Sequence, residues 1–386
     1  MNEVFSQVDS IKEKVLKVSD FIHKNPEVGH KEFVSSKFLI DALKKEGFTV
    51  ETEVANLSTA FKAVYTNNLA GPTIAFCAEY DALPEIGHAC GHNLIAASAF
   101  GAAVALKNME EKIPGRIIVM GTPAEEVSPP VKGKMIEEGA FSDVDVALII
   151  HGTDRTAVGM NRLAVDAMEI TYKGKTSHAA ASPDRGRSAL DGALLAMHAI
   201  EMLREHVRQD ARIHGIIKQG GEAPNIVPGK ASLHYMVRAL DSDYVDHLVE
   251  RMNKCFEAGA LATETEFSIE HLGKIDNAQY VKSVSDRLIK YAEEAGAVQV
   301  MDPAPTTAST DFGNLSHAIP SAELSVGFVP VGTAGHSIDY REAAGKKPGH
   351  HAALVGAKAM AAAAYDLFTD PKLLEKAKAE FEALNQ

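Results

Sequence analysis

Three short, almost unbroken apolar runs stand out in the first 150 residues: TIAFCA from Thr73, RIIVMG from Arg116 and VALII from Val146, with the helical stretch Leu94 to Lys107 between the first two. A strand that is apolar at nearly every position has both faces buried, which is the condition of strands in a mainly parallel sheet covered by helices on each side. The alternation of such runs with helical segments therefore predicts an α/β domain built on a mixed, mainly parallel sheet. Upstream, Ile11, Val15, Val18 and Ile22 recur at helical spacing until Pro26 ends the helix, and Phe38, Leu39, Ala42 and Leu43 mark a second helix ending at Gly47. Near the end of the chain, HAALVGAKAMAAAAYDLF reads as a small-residue helix packed closely in the core.

Around Asp166 the pattern changes. AMEITYKG reads as a strand, Ser188 to Val207 as a long helix, IHGIIK and ASLHYMVRA as strands, Tyr244 to Ala258 as a helix and EFSIEHLG as a strand. This β-α-β-β-α-β order is the ferredoxin-like arrangement. It fills about one hundred residues, enough for a small α+β domain, and sheet-like segments lie on both sides of it. The expected division is a discontinuous larger domain of residues 1–165 and 277–386, with residues 166–276 inserted as the smaller one.

At 386 residues the chain exceeds what one core usually organises, which also favours two domains. The net charge of −13, unbroken by any Lys or Arg run, argues against nucleic acid or an anionic membrane as partner. Cys77, Cys90 and Cys255 are too few and too scattered for a disulfide framework and read as thiols in a reducing compartment. The N-terminal segment carries charges throughout and lacks an apolar signal core, and the late small-residue helix, interrupted by Lys358, falls short of the roughly 20 apolar residues that span a bilayer. The expectation is a cytoplasmic protein that handles small molecules.

The chemistry concentrates at the ends of the apolar runs, where α/β sheets bind ligands. EYDALPEIGHACGHN follows the first run and packs Glu79, Asp81, His88, Cys90 and His92 into fourteen residues. A thiolate with imidazoles suits Zn²⁺ or a similar divalent transition metal. The second run leads into GTPAEEVSPP, where the adjacent Glu125 and Glu126 point in different directions. One can hold a metal while its neighbour takes a proton from water, the division of labour in metal-assisted hydrolysis. The third run delivers His151 to a strand end.

With these motifs, and with HKNPEVGHKE near the start, KGKTSHAAASP, APNIVP and GTAGHS further on, the chain resembles the M20 metallopeptidase family, specifically its amidohydrolase branch of aminobenzoyl-glutamate hydrolases, auxin-conjugate hydrolases and aminoacylase-1-like-2 proteins. The resemblance runs over nearly the whole length. It implies that Cys90, His92, Glu126, His151 and His336 hold two divalent ions per protomer, with the Cys90 thiolate bridging; Zn²⁺ and Mn²⁺ suit this set, and Co²⁺ or Ni²⁺ is tolerated. It places Glu125 as general base and Asp81 as the residue that orients a metal-ligating side chain. Glu79 stands where the wider family has a metal-ligating His, and its role stays open, as does that of Asp311 in ASTDFGN, where Ser309 and Thr310 also read as a helix-capping turn. His88 is not counted as a ligand.

The resemblance further implies that the inserted domain is a lid and dimerisation domain. In a homodimer, His178 and Asn225 would act in trans on the partner's site, His178 stabilising the oxyanion and Asn225 with Arg238 holding a substrate carboxylate. The implied activity is hydrolysis of an amide bond next to a free carboxylate, in an N-acyl amino acid, aminobenzoyl-glutamate or a small dipeptide. Two other readings remain: Cys90 as covalent nucleophile with His92 as its base, and a non-catalytic binding or regulatory protein that keeps the fold. Substrate, metal and the need for a related second chain are open.

Overall fold

The computed structural model describes residues 2–67, 69–127, 130–304 and 308–385. They form two compact units, one of residues 1–161 with 278–386 and the other of Arg162–Asn277.

The larger unit is built on a seven-stranded sheet. Its strands are β1 (Thr49–Thr52), β2 (Phe61–Thr66), β3 (Thr73–Ala78), β4 (Arg116–Gly121), β5 (Val146–Thr153), β6 (Ala157–Val158) and, after the smaller unit's four, β11 (Ser321–Gly327). The spatial order is β1-β2-β4-β3-β5-β11-β6. The four central strands β4, β3, β5 and β11 run parallel, while β1, β2 and β6 add antiparallel pairs at the edges. Every residue of β3 is buried, as the apolar run required. The helix His92–Lys107 is buried along almost its whole length. It packs against the Ala-rich helix Lys347–Thr369, whose small side chains let the two backbones approach.

The smaller unit holds β7 (Ala164–Lys173), β8 (Arg212–Gln219), β9 (Lys230–Ala239) and β10 (Glu266–Ile275) in one antiparallel sheet of order β10-β7-β9-β8. With the helices Ala189–Leu203 and Ser242–Thr263 this is the ferredoxin-like arrangement. Both helices start on side-chain caps: Ser188 Oγ accepts from Asp191 N, and Asp241 Oδ1 accepts from Tyr244 N at 3.2 Å. The second helix runs on to Thr263, five residues beyond the expected end. The first stops at Leu203, and a 3₁₀ turn, Arg204–His206, completes the span expected to be helical.

Candidate active site

Because β4, β3, β5 and β11 are parallel, their C-terminal ends share one edge of the sheet. The chain leaving β3 supplies Glu79, Tyr80 and Asp81, the turn after β4 supplies Glu125 and Glu126, and β5 itself supplies His151. Gly91, with φ +80°, reverses the chain between Cys90 and His92, a conformation costly for any side chain but glycine. It lets Cys90 stay in the loop while His92 opens the buried helix. His336 comes from the loop after β11, fastened by its backbone N–H to the Ala89 carbonyl at 3.1 Å.

These side chains converge on three groups whose ligand atoms all lie within 4.8 Å of one another: Cys90 with His92 and His151, Cys90 with Glu126 and His336, and Glu79 with His92 and Glu125. Cys90 belongs to two of them, and its Sγ is 3.5 Å from His151 Nε2. The His92 ring is set by Asp81. Its Nδ1–H donates to Asp81 Oδ1 at 2.9 Å, which turns Nε2 towards the cluster. Likewise His151 Nδ1–H donates to the Gly152 carbonyl at 2.9 Å and turns Nε2 towards Cys90. Glu126 N donates to Asp81 Oδ2 at 3.0 Å, so one buried carboxylate orients both a histidine and the Glu125–Glu126 turn.

Negative charge dominates here. Burial pushes the Glu125 carboxyl well above the usual carboxylate range, and Glu79, Asp311 and Glu126 push it further. Burial pushes the Cys90 thiol up, and neighbouring Glu126 adds to it. Burial opposes a charge on His92, yet Asp81 and Cys90 outweigh it and hold the ring's pKa well above the ordinary value. Burial would also raise Glu126, but the nearby His336 and His92 hold it below 4.5. Glu79 Oε2, His92 Nε2 and Glu126 Oε1 are buried and make no hydrogen bond. Buried polar atoms left unpaired are costly, and a cation held among them would satisfy them. The donor set of one thiol, imidazoles and carboxylates fits divalent transition metals.

Beside the cluster lies a residue that the sequence pattern did not single out. Lys132 is fully buried, with Nζ 2.6 Å from Glu79 Oε1 and paired also with Asp311, whose Oδ2 accepts the Lys132 backbone N–H at 3.1 Å. Its one local signal is position: it precedes the buried Met135 by three residues, on the inward stripe of the helix Val131–Glu137, whereas Lys134 is exposed. This pairing places Glu79 and Asp311 in a buried ion triad. Thr310 Oγ1 accepts from Phe312 N at 3.4 Å, a turn at the start of the helix Phe312–Ala318. His88 is buried outside the three groups, and burial drops its pKa to about 3.

Within the smaller unit, Ala179 N donates to the Asn225 carbonyl at 3.0 Å and Val227 N to the Ser177 carbonyl at 3.0 Å, so His178 and Asn225 sit on paired chain segments, both exposed. His178 Nδ1 accepts from Ala180 N and Ala181 N, at 3.2 and 3.1 Å, which leaves the neutral ring's proton on an outward Nε2. Arg238 on β9 stands opposite Arg212 on β8. Both line a cavity of about 400 Å³ with Arg204 and His214.

Comparison with known proteins decides the family. Residues 75–364 match the model of peptidase family M20/M25/M40. The chain belongs to that family. As a member of it, the protein is a hydrolase of peptide or amide bonds. It is similar to an Xaa-Arg dipeptidase of Mus musculus, 37% identical over 340 residues that cover 84% of this chain and 78% of the relative. It is also similar to one of the chains of p-aminobenzoyl-glutamate hydrolase of Escherichia coli strain K12, 30% identical over 99% of this chain and 95% of that one. In fold it matches a dinuclear metal-binding peptidase of the M20 family from Bacillus subtilis, with a TM-score of 0.71 and 20% identity over 93% of this chain and 99% of that one.

Proposed function

We propose that this M20-family protein is a metal-dependent amidohydrolase or dipeptidase that cleaves an amide bond next to a free carboxylate. The observation that carries the reading is the position of Cys90 in two of the three donor groups, with the buried Glu125 carboxylate beside them. Cys90, His92, Glu126, His151 and His336 hold two divalent ions, Zn²⁺ or Mn²⁺, with Co²⁺ and Ni²⁺ tolerated by the same donors. When bound, such ions lower the pKa of a water and polarise the scissile carbonyl.

The chain's own residues do the rest. Asp81 fixes the His92 ring and the Glu126 backbone. Glu125 takes the proton of the attacking water and returns it to the departing amine, a role served by a carboxyl whose affinity for a proton burial has raised. His178 Nε2–H stabilises the developing oxyanion, and Asn225 with Arg238 holds the substrate carboxylate.

In this reading the chain works as a cytoplasmic homodimer, with His178 and Asn225 reaching the partner's site. The supporting features lie in the smaller unit, where edge strand β8 exposes Ile216 and Ile217 and the helix Ala189–Leu203 exposes Leu194, Leu195 and Met202. Surplus apolar surface of this kind marks association sites. The cationic cavity around Arg238 favours an acidic over a basic amino-acid moiety, because like charges in such a cavity repel.

The test is amine release from a panel of aminobenzoyl-glutamate, N-acetyl and aromatic N-acyl amino acids and dipeptides, with Mn²⁺ or Zn²⁺ and with EDTA. Cleavage that EDTA abolishes is expected, fastest with an acidic residue at the carboxylate end. Cleavage that survives complete metal removal supports a Cys90 nucleophile and overturns the proposal.

A further inference from the structure

Glu32 lies outside every donor group, yet it is 0% exposed. Its Oε1 accepts the backbone N–H of His30 at 3.0 Å and of Ala124 at 2.8 Å, and its Oε2 accepts the Thr59 hydroxyl at 2.8 Å. Ala124 is the residue before Glu125, and its φ is +58°. A non-glycine residue holds the left-handed conformation only where its surroundings impose it. The imposition comes from the segment around Glu32. A Cβ on Gly29 would lie 2.9 Å from both Val127 methyls and 3.2 Å from Ala124 Cα, so this segment is pressed against the turn that carries both glutamates. The same carboxylate reaches the neighbouring strand edge through Thr59, whose carbonyl accepts the Tyr80 hydroxyl at 2.5 Å. Tyr80 stands between Glu79 and Asp81.

We propose that Glu32 is a positioning residue for the reaction: its buried carboxylate holds the Ala124 peptide in the left-handed conformation from which Glu125 and Glu126 diverge, and so aims Glu125 at the water. The inference rests on the reading of Glu125 as general base. Asp81 secures the turn from the Glu126 side, and Glu32 secures it from the Ala124 side. Removing the second anchor frees the peptide before Glu125 while the Asp81–Glu126 bond persists. The base is displaced, and the donor on the other side of the turn stays.

The requirement is for an acceptor of this shape, which a neutral amide also meets. In Glu32→Gln, Oε1 accepts from His30 and Ala124, and the amide N–H donates to the Thr59 oxygen. Glu32→Ala removes the acceptor. The experiment measures kcat, KM, bound Mn²⁺ and near-UV circular dichroism for both variants on whichever panel substrate is cleaved. Expected is a fall in kcat of about 10²-fold for Glu32→Ala, the scale of a displacement of about 1 Å at a reacting group, with KM and bound Mn²⁺ unchanged. Glu32→Gln is expected to restore most of the kcat.

A folded Glu32→Ala enzyme that keeps wild-type kcat, or one that loses activity only in proportion to lost Mn²⁺, overturns the proposal; so does a Glu32→Gln variant as slow as Glu32→Ala. If Glu32→Ala does not fold, Gly29→Ala serves instead, pushing on the turn while keeping the carboxylate. It is expected to lower kcat at constant KM, and an unchanged kcat counts against the proposal. Glu125→Gln separates the two levels of the argument. If it remains fast, the base assignment itself is wrong; if it is inactive while Glu32→Ala is fully active, only the positioning role fails.

Discussion

At Glu32 the same burial that makes a good clamp makes a poor carboxylate. Desolvation raises its pKa from 4.5 to about 7, against the hydrogen bonds that favour the ion. A carboxyl raised in the fold binds more protons folded than unfolded between those two values. Its contribution to stability is therefore fully present below about pH 4.5 and is lost as pH rises through 7. Glu32→Gln keeps the bonds and removes the charge. It is expected to raise stability at pH 8 by roughly 2–3 kcal/mol and to change it little at pH 5, as read by urea unfolding at the two pH values. An equal effect at both pH values contradicts this.

The gathering of Cys90, His92, Glu125, Glu126 and His151 at one sheet edge was legible in the sequence because short motifs put them at the ends of apolar runs, whereas His336, in a Gly-rich loop, was expected from the resemblance alone. Glu32 and Lys132 were not legible, because a buried charge is defined by its partners, the most distant of which lie 92 and 179 residues away. No spacing rule reaches that far.

Among the elements, β3, β4 and β5 announced themselves as apolar runs, while β11 did not. Every residue of β11 is buried, but its sequence SAELSVG interrupts the apolar pattern with serines and Glu323. β1 and β2 lie at the sheet's edge, and β1 is mostly exposed, so burial leaves little pattern there. Three elements meet at Lys132: the end of β3 through Glu79, the helix Val131–Glu137, and the start of the helix Phe312–Ala318 through Asp311. Lys132→Met leaves two buried carboxylates facing each other without a cation. The expected cost is about 3–5 kcal/mol, the range for breaking a buried ion pair, measured by thermal or urea unfolding. Adding Glu79→Gln and Asp311→Asn is expected to recover part of it. A Lys132→Met variant as stable as the parent contradicts the triad's role in joining these elements.

For the whole molecule, the change from long apolar runs to a β-α-β-β-α-β order revealed the ferredoxin-like unit, because strand and helix periodicities differ along the chain itself. What periodicity does not encode is which protomer's site a given His serves. The trans arrangement proposed for His178 has a direct consequence. Glu125→Gln and His178→Ala are each expected to be inactive as homodimers. Mixed and re-paired one to one, they form heterodimers with one intact site, returning about a quarter of wild-type activity if exchange is random between two-fold dimers. No recovery after verified exchange of protomers contradicts action in trans.

In the proposed mechanism the donors gathered around Cys90 act through two bound cations. The most direct test strips the protein of metal, titrates it with Mn²⁺ and follows bound ions and amine release together. Negligible turnover is expected in the apo protein, with activity that rises to a plateau at about two ions per chain and Glu125→Gln binding the same number and remaining inactive. Full turnover in the metal-free protein, or a plateau reached with no bound ion, would contradict it.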